Sequence, residues 1–86
     1  MSASSERSVV LPEDLHARPA GALVRVAAGF RSTVELIFNG KRASARSVLA
    51  IMGLNATAGS TVLVRADGED ADEAAAAVVL ALAATG

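Results

Sequence analysis

The pair Asn39-Gly40, set between the runs Thr33–Phe38 and Lys41–Ala45, is the tightest constraint in the chain. Both residues tolerate the positive φ that the central positions of a type I′ turn require, so the flanking runs must double back as an antiparallel hairpin. In the first run Val34, Leu36 and Phe38 share one face and Thr33, Glu35 and Ile37 the other, the pattern of a strand with one buried side. Thr61–Ala66 repeats it, with Val62, Val64 and Ala66 facing one way. Val9-Val10-Leu11 is a further β-type stretch, stopped by Pro12, which has no N–H to extend a ladder.

The segments between these strands carry helical signals. From Ala17 to Ala28 the apolar residues Ala20, Leu23, Val24 and Ala27 recur at helical spacing, and Gly29 stands where a left-handed cap would end the helix. Ser47 suits the N-cap of a short helix running to about Leu54, with Asn55 or Gly59 able to take the left-handed conformation that leaves it. Asp67-Gly68 predicts a turn, and Asp70 with Glu73 three residues on resembles a capping box before an alanine-rich helix that ends near Ala84. The order βαββαβα, with strands that each need one face covered, predicts an α+β open-faced β-sandwich: a four-stranded antiparallel sheet with three helices on one face. At 86 residues the chain makes one domain, residues 1–86, in which the polar stretch 1–6 is expected to be a flexible tail.

Composition narrows the function classes. Eight Lys and Arg against nine Asp and Glu leave a net charge of −1, so there is no global field to condense the chain on nucleic acid or anionic lipid, and electrostatic recognition must be local. Without cysteine there is no disulfide framework or thiolate zinc site, and one histidine cannot build a metal centre, so no metal and no cofactor are expected. The start lacks the basic and apolar regions of a secretory signal, and the apolar run Ala74–Ala84 falls short of the roughly 18–20 residues of a membrane span, so a cytoplasmic protein without membrane insertion is expected.

The chemistry concentrates in Leu15-His16-Ala17-Arg18-Pro19-Ala20-Gly21, where the sole histidine meets a helix start. Pro19 loses no hydrogen bond in the first helical turn, where N–H groups have no intrahelical acceptor. The N–H groups of Ala17 and Arg18 and the positive end of the helix dipole make an anion site beside the imidazole, and the Arg18 guanidinium can chelate phosphate oxygens. Arg25, seven residues beyond Arg18, lies on the same helical face and makes the approach to His16 locally basic. Taken alone, the pattern also fits a solvated or capping histidine. In the short second helix, Val48, Leu49, Ile51, Met52 and Leu54 span more of the circumference than one buried stripe covers, so some must be exposed, as in a docking surface.

Leu15-His16-Ala17-Arg18-Pro19-Ala20, Phe38-Asn39-Gly40-Lys41, Arg46-Ser47-Val48-Leu49 and Ala58-Gly59, at these separations, resemble HPr, the histidine-containing phosphocarrier family of the phosphoenolpyruvate-dependent sugar phosphotransferase system. The similarity covers roughly Val9 to Ala84. It implies that enzyme I, charged from phosphoenolpyruvate, phosphorylates His16 on Nδ1, that phospho-His16 passes the group to the A domain of an enzyme II, and that Arg18 is the active-site arginine. It implies partner contacts through Ala17, Arg18, Gly21, Arg25, Val48, Leu49 and Met52, and a monomer that exposes its site to two partners in turn. Whether such a component counts as an enzyme is a matter of definition, because it carries a transient phosphohistidine and completes no reaction alone. Ser47 aligns with the serine that a dedicated HPr kinase phosphorylates in some members, recruiting a transcriptional co-regulator, although its role as an N-cap accounts for it as well. The alternative is a regulatory paralogue whose phosphorylation state controls a partner without transport flux. Two stretches depart from the family's pattern: Glu13-Asp14 replaces small residues before the histidine, where acidic groups would repel a phosphate unless they point away, and Asn55 replaces a common glycine.

Overall fold

A computed structural model describes residues 3–84. Four antiparallel strands, β1 (Ala3–Val10), β2 (Thr33–Phe38), β3 (Lys41–Ser44) and β4 (Thr61–Gly68), form one sheet in the order β1-β4-β2-β3. Helices α1 (Ala17–Ala27), α2 (Val48–Met52) and α3 (Ala71–Ala83) interleave with them to give βαββαβα. No described helix is long and apolar enough to cross a membrane.

One-sided burial drives the layering. Val34, Leu36, Val62, Val64 and Ala66 alternate onto the covered face and are almost fully buried, together with Leu23 of α1, Ile51 of α2 and Val78 and Leu82 of α3. The alanines of α3 now have a reason: Ala71, Ala74 and Ala75 are buried, and their small side chains let the helix lie close against β1, β4 and α1. The open face carries charge instead. Glu6 and Glu35 both stand in register with Arg65, whose guanidinium lies 3.7 Å from Glu6 and 3.2 Å from Asp67, while Arg42 approaches Glu35 at 3.8 Å. Opposite charges side by side suit a sheet surface that faces solvent.

Three local expectations need correction. The tail assigned to residues 1–6 is strand from Ala3 onward, because Ala3–Glu6 pair with Arg65–Gly68 along the edge of β4; Met1 and Ser2 lie outside the described residues. Gly29 takes no positive φ, and α1 ends in a tightened turn with Gly29 N–H donating to Val26 O at 3.1 Å and Phe30 N–H to Ala27 O at 3.2 Å. The turn at Asn39-Gly40 holds, with φ of 54° and 76°, and both Asn55 (54°) and Gly59 (87°) are left-handed.

The third correction concerns Asp70, which stands at the N-cap of α3 without making a side-chain capping bond. Its carboxylate reaches across to the entrance of β2: Oδ1 accepts from Ser32 N–H at 2.9 Å and from Ser32 Oγ at 2.6 Å, and Oδ2 from Arg31 N–H at 3.0 Å. Ser32 is buried, and Gly68 packs on it so closely that a Cβ there would lie 2.6 Å from Ser32 Oγ and 2.8 Å from its Cα. With φ of 148° as well, position 68 admits only glycine.

These donors, the Ser32 hydroxyl foremost, hold the Asp70 carboxyl below the ordinary carboxylate range. A lowered native pKa stabilises the fold above the unfolded value of about 4, and that contribution is lost as the pH falls through the native one. Asp70→Asn should therefore lower the Tm at pH 7, with the difference from the parent chain shrinking as acid protonates the carboxylate; thermal denaturation across the acid range checks this. Gly68→Ala should cost at least ~1–3 kcal/mol from its backbone conformation alone, read by chemical denaturation.

Candidate functional site

His16 is the N-cap of α1, with extended backbone (φ −93°, ψ −166°); its carbonyl accepts from Ala20 N–H at 3.0 Å, and its side chain makes no capping bond. The imidazole is half exposed. Its position is set by two loops stitched together. Leu15, buried, donates from its N–H to Ala56 O at 3.0 Å; Leu11 N–H donates to Ser60 O and Gly59 N–H to Leu11 O, both at 2.9 Å. Asp14 Oδ1 accepts from Ala58 N–H at 2.9 Å. The left-handed Asn55 and Gly59 bend the second loop so that its backbone meets the first.

Beyond His16, Pro19 is buried and pins the start of α1, and no acidic residue lies in its first turn. The N–H groups of Ala17 and Arg18 precede the first intrahelical bond, Ala20 N–H to His16 O, and have no acceptor within the helix. Arg18 is exposed, and its Nη2 lies 3.5 Å from Glu13 Oε1. Arg25 folds back along the helix toward Gly21, its Nη1 3.8 Å from where a Cβ on Gly21 would stand, an ordinary contact distance. This arrangement can bind and neutralise a tetrahedral dianion at a ring nitrogen.

The second helix lies beside the first. A hollow of about 270 Å³ is lined by His16, Leu15, Met52, Asn55 and Thr57, among others, so Met52 shares a surface with the histidine. Val48 and Met52 are half buried against the core, whereas Leu49 is 81% exposed, an apolar side chain with nothing to cover it. Helix α2 is shorter than the sequence predicts, ending at Met52. Ser47 does cap it, its Oγ accepting from Ala50 N–H at 3.1 Å.

The two acidic residues before His16 behave differently. Asp14 turns away to the second loop, but Glu13 turns inward, its Oε1 3.9 Å from His16 Nε2. That oxygen is shut from solvent and receives no hydrogen bond. Residue types and spacing in a loop carry no period from which either direction can be read.

Residues 3–84 match the family model described as the PTS HPr component phosphorylation site. Among solved structures, the chain is similar to the phosphocarrier protein HPr from Bacillus anthracis, at 31% identity over 94% of this chain and 96% of that one, with a TM-score of 0.81. It resembles HPr from Thermoanaerobacter tengcongensis at 31% identity over 93% and 90% of the two chains (TM-score 0.80). The catabolite repression protein Crh of Bacillus subtilis, described as a swapped dimer, is 40% identical over 84% of this chain and 86% of that one (TM-score 0.70).

Because Ser47 makes a real capping bond in this fold, Ser47→Ala should destabilise the protein by ~1 kcal/mol, measured by urea denaturation.

Proposed function

The chain belongs to the HPr family of phosphocarriers of the phosphotransferase system, and from that we propose that it accepts a phosphoryl group on His16 from enzyme I and delivers it to the A domain of an enzyme II during sugar uptake. The observation that carries this reading is the exposed imidazole at a helix N-terminus whose first N–H groups no side chain caps, with Arg18 within reach.

Phosphoryl transfer depends chiefly on in-line positioning and on neutralising charge over the equatorial oxygens. The bond from phosphorus to the donor group of enzyme I breaks as a bond forms to Nδ1 of His16. The N–H groups of Ala17 and Arg18 and the Arg18 guanidinium receive the phosphoryl oxygens, and the partner supplies the rest of the cradle. Onward transfer reverses these roles. Ala17, Arg18, Gly21 and Arg25 on α1 and Val48, Leu49 and Met52 on α2 form the docking face, with the exposed Leu49 as its apolar contact and Arg18 and Arg25 attracting an acidic partner surface. A carrier that serves two partners in turn works as a monomer, and it acts in the cytoplasm, where its phosphoryl donor is made.

A regulatory role through Ser47 is the second reading, favoured by the 40% identity to Crh. Phosphate on Ser47 would sit at the start of α2, inside the docking face, and would repel the acidic partners that Arg18 and Arg25 attract. An HPr kinase and a transcriptional co-regulator are the partners this reading requires.

Incubated with enzyme I and phosphoenolpyruvate, the protein should gain one acid-labile, base-stable phosphate, and His16→Ala should gain none. Arg18→Ala should slow labelling about 10-fold or more, the scale expected for losing one charge-stabilising donor. Restored sugar uptake in cells lacking their own carrier separates transport from a purely regulatory role, and persistent labelling of His16→Ala would refute the site.

A further inference from the structure

Resting on His16 as the carrier residue, we propose that Glu13 is the positioning residue of this site: its carboxylate keeps the imidazole proton on Nε2, leaving Nδ1 as the nucleophile, and it balances the charge the ring gains on phosphorylation. Oε1 of Glu13 is a solvent-excluded anionic acceptor without a hydrogen bond, and such a group draws in the nearest donor. Two are in reach, Nε2 of His16 at 3.9 Å and Nη2 of Arg18 at 3.5 Å.

These two donors have different fates. Arg18 is a long, exposed side chain that can swing to phosphoryl oxygens, whereas His16 is anchored by the buried Leu15 and by its own backbone bonds. When Arg18 turns to phosphate, Oε1 is left to Nε2–H, and a contact that is long in the resting state closes in the reactive one. The hydrogen bond made by one ring nitrogen decides which nitrogen bears the proton, so a carboxylate at Nε2 presents the Nδ1 lone pair to the donor. Of the other charged groups, Asp14 lines the same hollow as the ring but is held to Ala58 N–H through Oδ1, and the remaining lining, Leu15, Met52, Asn55, Ala56 and Thr57, is uncharged.

The step balances without an added acid or base. The Nδ1 lone pair forms the N–P bond, the donor departs with the electrons of its own bond to phosphorus, and the ring keeps its Nε2 proton as a cation facing Glu13. In the onward step the acceptor attacks phosphorus, the N–P electrons return to Nδ1, and the neutral Nε2–H imidazole is restored. The acidic residue that departs from the family's pattern is thereby accommodated, because it stands at the nitrogen that does not carry phosphate.

The test uses the full chain with Glu13→Gln, which removes charge but keeps shape, and Glu13→Ala, which removes the acceptor. Nitrogen-15 NMR of the His16 ring in the unphosphorylated proteins reads the tautomer ratio, and initial rates of phosphorylation by enzyme I and phosphoenolpyruvate at varied carrier concentration read kcat and KM for loading His16. The parent chain should hold a larger Nε2–H fraction than Glu13→Ala, whose ratio should relax toward that of a free histidine ring. Glu13→Gln should transfer ~3- to 10-fold more slowly in kcat with KM little changed, as expected for one screened charge acting through the ring. An unchanged tautomer ratio in Glu13→Ala, or an unchanged kcat in Glu13→Gln, would overturn the assignment. Failure of the parent chain to take label would end the carrier reading instead, and the tautomer comparison, which needs no phosphate, would then decide the Glu13–His16 contact by itself.

Discussion

Strand β4 is the element on which the rest of the structure depends. It pairs with β1 on one side and β2 on the other, and its Val62, Val64 and Ala66 form the floor onto which the helices pack. Since it is the last strand in the chain, the hairpin of β2 and β3 and the long β1 share no hydrogen bonds until residues 61–68 come between them. The hairpin is local and can form early; closure of the sheet is long-range and carries most of the loop-closure cost. The contact of Asp70 with Arg31 and Ser32 fastens the same junction, joining the start of α3 to the start of β2 where Gly68 leaves β4.

That frame leaves one helix end unfinished. Helix α2 has its N-terminal N–H satisfied by Ser47, and α3 begins with Asp72 and Glu73, whose charges complement its dipole. Helix α1 has no acidic residue in its first turn, its N-cap side chain makes no bond, and the charge placed there, Arg18, has the sign that the dipole disfavours. Local stability would be improved by a serine or aspartate at position 16. The cost is tolerable because Pro19, Ala20 and Leu23 anchor the helix by burial, and the unmet donors remain available for an anion.

How much of this was legible in the sequence depended on the range of the interaction. The alternation in Thr33–Phe38 and Thr61–Ala66 and the Asn39-Gly40 turn are fixed by residues within a few positions of each other, and the strands and hairpin lie where that pattern puts them. The first half of β1 was illegible because serines and a glutamate have weak strand preference; what makes them strand is the unpaired edge of β4, more than fifty positions away. Asp70 and Glu73 matched a local motif, but a buried Ser32 with two donors, 38 residues away in sequence, outcompetes the local cap. The position of His16 at a helix start was readable from Pro19 and the apolar spacing, whereas the loop contacts that aim it, Leu15 to Ala56 and Asp14 to Ala58, were not.

The same distinction separates Glu13 from Asp14. Both are carboxylates adjacent in sequence, and composition treats them alike, yet one accepts a backbone N–H of the opposite loop and the other lies between the His16 ring and Arg18. Had both faced solvent, their charges would only have raised the barrier to an incoming phosphate. The Asp14–Ala58 bond ties down the loop that places Glu13 on one side of the imidazole. In the proposed transfer a negative charge on the Nε2 side would face the cation formed on the ring, while the helix N-terminus and Arg18 would face the dianion, so each developing charge would meet its own counter-charge.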